Sequence, residues 1–263
     1  MLMTSNIGLY IYCVMNKTET KVLKAKKSNP EDPGIKNRQI YEIRYKDLSA
    51  VVSNFPLEQL KANMDDVIAH QKVVENVRKK AGTTILPVRF GTILRNQEEV
   101  INLLSKSYNE YRSKLSKLGG KDEFGLKVLI TNTTREKLKE LVEAESKEIK
   151  KMKDNISSLS ANSSGSTYLL KLNLEDAIKN GISKKIEKLA YEIHQQFVQI
   201  SEESDLLKAD IEQIILNAAY LVNQNSATAF KSKFQELKKA YGSVGLIFHM
   251  SGPWAPYSFL EGK

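Results

Sequence analysis

The stretch Phe124-Gly125-Leu126-Lys127-Val128-Leu129-Ile130 places Phe124, Leu126, Val128 and Ile130 on one side of an extended chain, the two-residue period of a β-strand facing a core. The pattern downstream of it sets a topology. Thr134 opens a long helical pattern in which Leu138, Val142, Ile149, Met152, Ile156 and Leu159 recur in steps of three and four, with a gap at Glu145. After the polar break Ser160 to Ser166, a second long helix carries Ile182, Ile186, Leu189, Ile193, Phe197 and Ile200, and the two are expected to pack as an antiparallel hairpin. A short charged strand from Ser204 to Ala209, an apolar strand from Ile214 to Val222, a helix bearing Ala227, Phe230, Phe234 and Leu237, and a strand with Val244, Leu246, Phe248 and Met250 complete the series. The order β, α, β, β, α, β predicts a modified ferredoxin-like unit with an extended helical hairpin insertion, its first and third strands central and its fourth at an edge.

Beyond Met250 the chain reads Ser251-Gly252-Pro253-Trp254-Ala255-Pro256-Tyr257-Ser258-Phe259. Proline fixes φ and lacks a backbone donor, so the strand is expected to stop near Met250 and the rest to run on as a stiff strip with three rings to bury. The tail either anchors the C-terminus on its own domain, covering the edge strand, or docks on another protein through Trp254, Tyr257 and Phe259.

Upstream, Ile7 to Met15 reads as a buried strand, and Tyr41, Ile43 and Tyr45 lead across Lys46-Asp47 into Leu48, Ala50 and Val52 as a tight hairpin. A turn is expected at Ser28 to Gly34. Asn63 caps a helix over Met64 to Ala81 whose inner face holds Val67, His70, Val74, Val77 and Ala81. Ile85 to Ile93 is expected as a strand containing Leu86-Pro87-Val88-Arg89-Phe90-Gly91-Thr92, with Arg89 turned away from the apolar row. One helix with Val100, Leu104, Tyr108, Tyr111, Leu115 and Leu118 comes next, stopped by Gly119-Gly120. A boundary near Gly120 divides the chain into a basic α+β domain with a small mixed sheet, residues 1–120, and the ferredoxin-like domain with its tail, residues 121–263.

Of 263 residues, the first 120 hold 20 Lys and Arg against 12 Asp and Glu, net +8, and the remainder hold 20 against 19, net +1. The basic excess is either a solubilising surface or an attraction for an acidic partner. One cysteine, Cys13, and three dispersed histidines, His70, His194 and His249, form no disulfide and no metal-ligand spacing. No apolar run reaches the ~18–20 residues of a membrane span, and the first residues lack the pattern of a signal sequence, so a cytoplasmic chain without lipid contact is expected.

No phosphate loop, dinucleotide fingerprint or nucleophile elbow occurs, and the pairs Asp65-Asp66, Glu98-Glu99 and Glu202-Glu203 fall at predicted helix ends, where capping explains them. No enzymatic activity, cofactor or metal is expected. Nucleic-acid binding is not expected either, because Gly125, Lys127 and Leu129 leave the alternate face of the first ferredoxin strand without stacking aromatics. His70 is either a packed, hydrogen-bonded histidine or an acid–base group, and Arg89 either pairs with a carboxylate such as Asp47 or meets a partner.

The combination of Gly8 to Tyr12, Leu48 to Ser53, His70 with Val73 and Val74, Leu86 to Thr92, Gly125 to Val128, Ala219 to Val222 and Gly252 to Phe259 resembles the GvpF/GvpL family of gas vesicle proteins over nearly the whole length. At Ala255 the family usually shows a second proline after tryptophan. The resemblance implies a two-domain α+β accessory protein of gas vesicle assembly, located with the vesicle. It implies binding to the hydrophobic shell protein GvpA, to keep it from aggregating or to help nucleate the vesicle, and it supplies no catalytic residue. The alternative is a scaffold for other accessory gas vesicle proteins without shell contact. Pro87, Arg89, Gly91, Trp254, Tyr257 and Phe259 are the candidate partner-binding residues.

Overall fold

The computed structural model describes residues 7–17, 33–57, 63–158 and 164–260, with the side chains of 164–166 excepted. The polar break lies outside them up to residue 163, as does the turn at Ser28 to Gly34 up to residue 32. The chain forms two units, Met1–Glu123 with Gly252–Lys263, and Phe124–Ser251. The tail, expected with the ferredoxin-like domain, therefore belongs with the first unit.

In the first unit β1 (Ile7–Asn16) is flanked on one side by β3 (Leu48–Pro56) and β2 (Ile40–Tyr45), and on the other by β4 (Ile85–Pro87) and β5 (Ile93–Leu94). All these pairings are antiparallel, so the sheet expected to be mixed is not. Its central strand is buried from Gly8 to Met15, which explains why β1 reads as a continuous apolar run. The hairpin is as tight as the sequence implies: Tyr45 sits opposite Leu48, and Lys46 takes a left-handed φ of 52°.

Helix α1 (Met64–Ala81) starts from Asn63, whose Oδ1 accepts the Asp66 N–H at 2.8 Å while its Nδ2 donates to Asp66 at 2.7 Å. Asp66 is buried and Val67 is exposed, so the inner stripe runs through His70, Val73, Val74 and Val77. The single helix expected after β5 is two, α2 (Gln97–Lys106) and α3 (Tyr108–Lys117), broken at Ser107. Their buried residues are Val100, Leu104 and Leu115, while Tyr108 and Tyr111 remain half-buried.

The second sheet has the order β7-β8-β6-β9, with β6 (Lys121–Ile130) and β8 (Ile214–Asn223) central, β7 (Glu203–Leu206) at one edge and β9 (Leu246–Trp254) at the other. This is the strand order of a ferredoxin-like unit. The first connection holds α4 (Asn132–Glu145), α5 (Lys147–Ser157) and α6 (Ser164–Val198), and α7 (Ala227–Gly242) forms the second. The expected gap at Glu145 is a true break, because the Ser146 side chain accepts the Ile149 N–H and caps a new helix. β9 runs to Trp254, past the expected stop at Met250. As an edge strand it has no ladder partner on its outer side among the described residues, so Pro253 is tolerated there. The core of this unit gathers Phe124, Phe197, Tyr220 and Phe230, with Leu126, Val128, Phe234 and Phe248 around them.

Candidate functional site

The segment Leu86–Thr92 is not one strand. β4 ends at Pro87, the chain turns over Phe90 and Gly91, and β5 begins at Ile93, both strands paired with β1. Gly91 makes the turn at φ 86°, a left-handed value that glycine adopts without strain. Hydrogen bonds to β1 and within the turn hold the loop, among them the Thr92 N–H to Arg89 O at 3.3 Å. The Val88 N–H donates to Tyr12 O at 2.9 Å, the Ile11 N–H to Thr92 O at 3.0 Å, the Thr92 hydroxyl to Arg89 O at 2.7 Å, and the Gly91 N–H to Tyr10 Oη at 3.1 Å. Arg89 is exposed at the tip, and its guanidinium has no hydrogen bond or ion pair among the described residues. The carboxylate weighed as its partner, Asp47, instead binds Arg112 at 3.2 Å and the Tyr108 hydroxyl.

Beneath the loop lies an aromatic cluster in which Tyr10, Tyr12 and Phe90 surround His70 and Phe55 packs on Tyr10. Tyr10 Oη accepts from the Gly91 N–H and lies 2.8 Å from His70 Nδ1; with the Tyr10 hydroxyl as donor, the imidazole is neutral and carries its hydrogen on Nε2. Nε2 is buried beside the Val88 main chain without a well-aligned hydrogen bond among the described residues. Burial drives the His70 pKa from 6.5 down to about 4, partly opposed by Val88. Of the two readings the packed, hydrogen-bonded one fits this geometry. Because the folded pKa is depressed, the unfolded chain binds the proton first, and stability is full above pH 6.5 and falls as the pH drops toward 4. The loss at the acidic end is expected to be about 3 kcal/mol. Denaturation from pH 7 to 4 should therefore show a smaller pH dependence for His70→Gln than for the parent; equal slopes would remove His70 as the titrating group.

The tail reaches the same core. Ala255 and Phe259 are buried, Tyr257 and Trp254 are half-buried, and Ala255 and Tyr257 pack in the cluster of Tyr10, Tyr12, Cys13, Val74 and Phe90. Burial pushes the Tyr257 and Cys13 pKa values up, so both stay neutral. The strip is held by charged side chains on α1 and at the start of β6. The Ala255 N–H donates to Glu75 Oε1 at 3.0 Å, Arg78 Nη2 to Pro253 O at 3.3 Å, and the Ser258 N–H and hydroxyl to the two oxygens of Glu123 at 2.8 Å each. Arg78 also bridges Glu75 at 3.0 Å and Asp122. Where the resemblance would place a proline, Ala255 supplies the N–H that Glu75 needs, and proline has none to give.

The fold thus brings all six candidate residues into one unit, but unequally exposed. Arg89 and Gly91 are exposed, Trp254 and Tyr257 half-buried, and Pro87 and Phe259 buried. Glu75, Arg78 and Glu123 escaped the sequence reading because their bonds to the tail span 135 to 180 residues and leave no local pattern, and Asp122 because it holds Arg78 from 44 residues away. Among the described residues no group of three or more His, Cys, Asp or Glu is placed to hold a metal ion, and no helix is long and apolar enough to cross a membrane.

Among the described residues, two antiparallel sheets, seven α-helices and a C-terminal strip returned to the first sheet's core define the class of fold. The chain belongs to the gas vesicle synthesis protein GvpL/GvpF family, whose model matches residues 8–261. It is 23% identical to gas vesicle protein F of Haloferax mediterranei over 97% of this chain and 93% of that one, and 28% identical to gas vesicle protein F of a Streptomyces species over 81% and 84%. The crystal structure of GvpF from an Anabaena species matches the fold with a TM-score of 0.80 at 19% identity, covering 97% of this chain and 99% of that one. That of Microcystis aeruginosa GvpF matches with 0.74 at 20% identity over the same shares. Family membership assigns the protein to gas vesicle assembly.

Proposed function

We propose that the protein serves gas vesicle assembly by binding, without catalysis, the hydrophobic shell protein GvpA through the surface around Arg89, keeping it from aggregating before it polymerises. A subunit that lines a gas space exposes apolar surface until it is built in, and such patches aggregate unless something covers them reversibly. The observation that carries the reading is the displayed arginine: its loop is fixed by hydrogen bonds to β1 and within the turn, its guanidinium is unpaired among the described residues, and it sits in the half of the chain with net +8. An unpaired guanidinium on a loop whose backbone is already held recognises a carboxylate without first ordering the loop. The tail supports this surface by filling the core under the loop.

Co-expression with GvpA, followed by size-exclusion chromatography with light scattering at low and high salt, tests the proposal. A soluble, salt-sensitive complex is expected, and Arg89→Glu should weaken it by about tenfold or more, since charge reversal turns an attraction into a repulsion. A lone chain with GvpA in the pellet, or a complex indifferent to Arg89→Glu, removes this surface as the contact.

A further inference from the structure

The Arg89 loop is tied to the rest of the first unit unevenly. Its two ends are joined to β1, through the Val88 N–H to Tyr12 O at 2.9 Å and the Ile11 N–H to Thr92 O at 3.0 Å, while the bonds from Thr92 to Arg89 O stay inside the turn. For the tip, residues 89–91, the bond from the Gly91 N–H to Tyr10 Oη at 3.1 Å is the one hydrogen bond that leaves the loop among the described residues. Gly91 has φ 86° and open space where a Cβ would stand, so packing does not hold its backbone. The Phe90 ring, the other tie of the tip, lies 6.2 Å from Tyr10 and 5.8 Å from His70, centroid to centroid. Both ties of the tip therefore end on the same two buried side chains.

Those side chains are themselves fixed. Tyr10 is fully buried on β1, with ring centroids 4.8 Å from Tyr12 and 5.9 Å from Phe55, and its hydroxyl stands 2.8 Å from His70 Nδ1. His70 is buried on α1 and stacks on Tyr12 with centroids 5.6 Å apart. The Val88 main chain opposes the fall of the His70 pKa, as a carbonyl acceptor does, which puts the ring hydrogen on Nε2 and leaves Nδ1 to accept. The Tyr10 proton is then directed at His70, and the oxygen's lone pairs are free for the Gly91 N–H. A chain of two bonds thus runs from α1 to the tip: His70 orients the Tyr10 hydroxyl, and the hydroxyl holds the backbone two residues from Arg89.

We infer, on the reading of Arg89 as the contact, that Tyr10 and His70 are positioning residues for it: neither touches the partner, yet the bond from Gly91 to Tyr10 sets how often the tip presents the guanidinium. A partner that binds one conformation of the tip has its affinity reduced in proportion to the fraction of the chain in that conformation. Tyr10→Phe keeps the ring and its packing and removes the hydroxyl alone, so it lowers that fraction without altering Arg89.

The test uses the full chain and two readouts. In amide hydrogen exchange followed by NMR, without partner, Tyr10→Phe should speed exchange at Gly91 by about tenfold or more beyond any change in β2 and β3. His70→Gln, whose side-chain carbonyl still accepts from Tyr10, should keep more of the Gly91 protection than His70→Leu. Against GvpA, Tyr10→Phe should weaken the complex by about threefold to tenfold and add nothing in an Arg89→Glu background, because both act through one contact. An unprotected Gly91 in the parent, a Gly91 rate in Tyr10→Phe that changes no more than those of β2 and β3, equal protection in His70→Gln and His70→Leu, or full additivity with Arg89→Glu overturns the inference. The two readings fail separately. An effective Arg89→Glu with an unaltered Gly91 in Tyr10→Phe leaves the contact standing and removes the positioning role, whereas an ineffective Arg89→Glu with a freed Gly91 removes the contact and leaves the hold on the tip.

Discussion

Arg78→Ala is expected to destabilise the first unit by about 3–5 kcal/mol, because it takes the counter-charge from two largely buried carboxylates rather than removing a surface pair. The Arg78 side chain is 14% exposed, that of Glu75 12% and that of Asp122 10%. Its Nε and Nη2 bind Glu75 at 3.2 and 3.0 Å, Nη1 binds Asp122, and Nη2 also reaches Pro253 O at 3.3 Å. Without the guanidinium, Glu75 loses its counter-charge while still accepting from Ala255, so the tail loosens together with the helix. Urea denaturation should show the loss, and limited proteolysis should cut the variant near Gly252 to Phe259 first. Arg78→Lys keeps the charge but not the fork and is expected to fall between parent and alanine. A loss below about 1 kcal/mol with an undisturbed tail would mean that this network contributes no more than an ordinary exposed pair.

Phe230→Ala should cost the second unit a similar amount, about 3–5 kcal/mol, for a different reason. Phe230 is fully buried, with ring centroids 5.0 Å from Phe124, 4.9 Å from Phe197 and 5.5 Å from Tyr220. It joins helices α6 and α7 to the central strands, so the cavity left by its removal opens at the middle of the packing, where neighbours on three elements cannot all collapse. Hydrogen exchange should lose protection over β6, β8 and the C-terminal part of α6 while β1 and β3 keep theirs. Phe230→Leu, which refills much of the volume, should cost clearly less. Equal loss of protection in β1 and β3 would show that the two cores do not unfold as separate units.

Much of the fold was legible because periodicity is a local signal. The alternation from Phe124 to Ile130 and the order of elements after it led to the strand order in which β6 and β8 are central and β9 is an edge. The Lys46-Asp47 hairpin and the Asn63 cap were equally readable, since each depends on residues within a few positions. Places where the chain changes direction inside an apolar pattern were not. Leu86 to Thr92 reads as a strand, yet it turns because Tyr10 and Tyr12, far away in sequence, supply the hydrogen bonds that make the turn stable. Val100 to Leu118 reads as one stripe, although the break at Ser107 lets two short helices each bury their own residues. Arg89 could be picked out as outward-facing, but not that it would stand unpaired while Asp47 went to Arg112 and Tyr108.

The order of residues alone carried the fold class, the two uneven charge halves, the edge position of β9 and the resemblance that family membership bears out. The destination of the tail came from the folded molecule. Its prolines and rings announce a stiff strip that must bury something, and that property is local. Its seat is set by Glu75, Arg78 and Glu123, which match the backbone donors and acceptors of residues 253–258, with Asp122 holding Arg78, and by the space among Tyr10, Cys13 and Val74 that Ala255 fills. Such a match between surfaces more than a hundred residues apart exists only once both are folded, so no spacing along the chain encodes it.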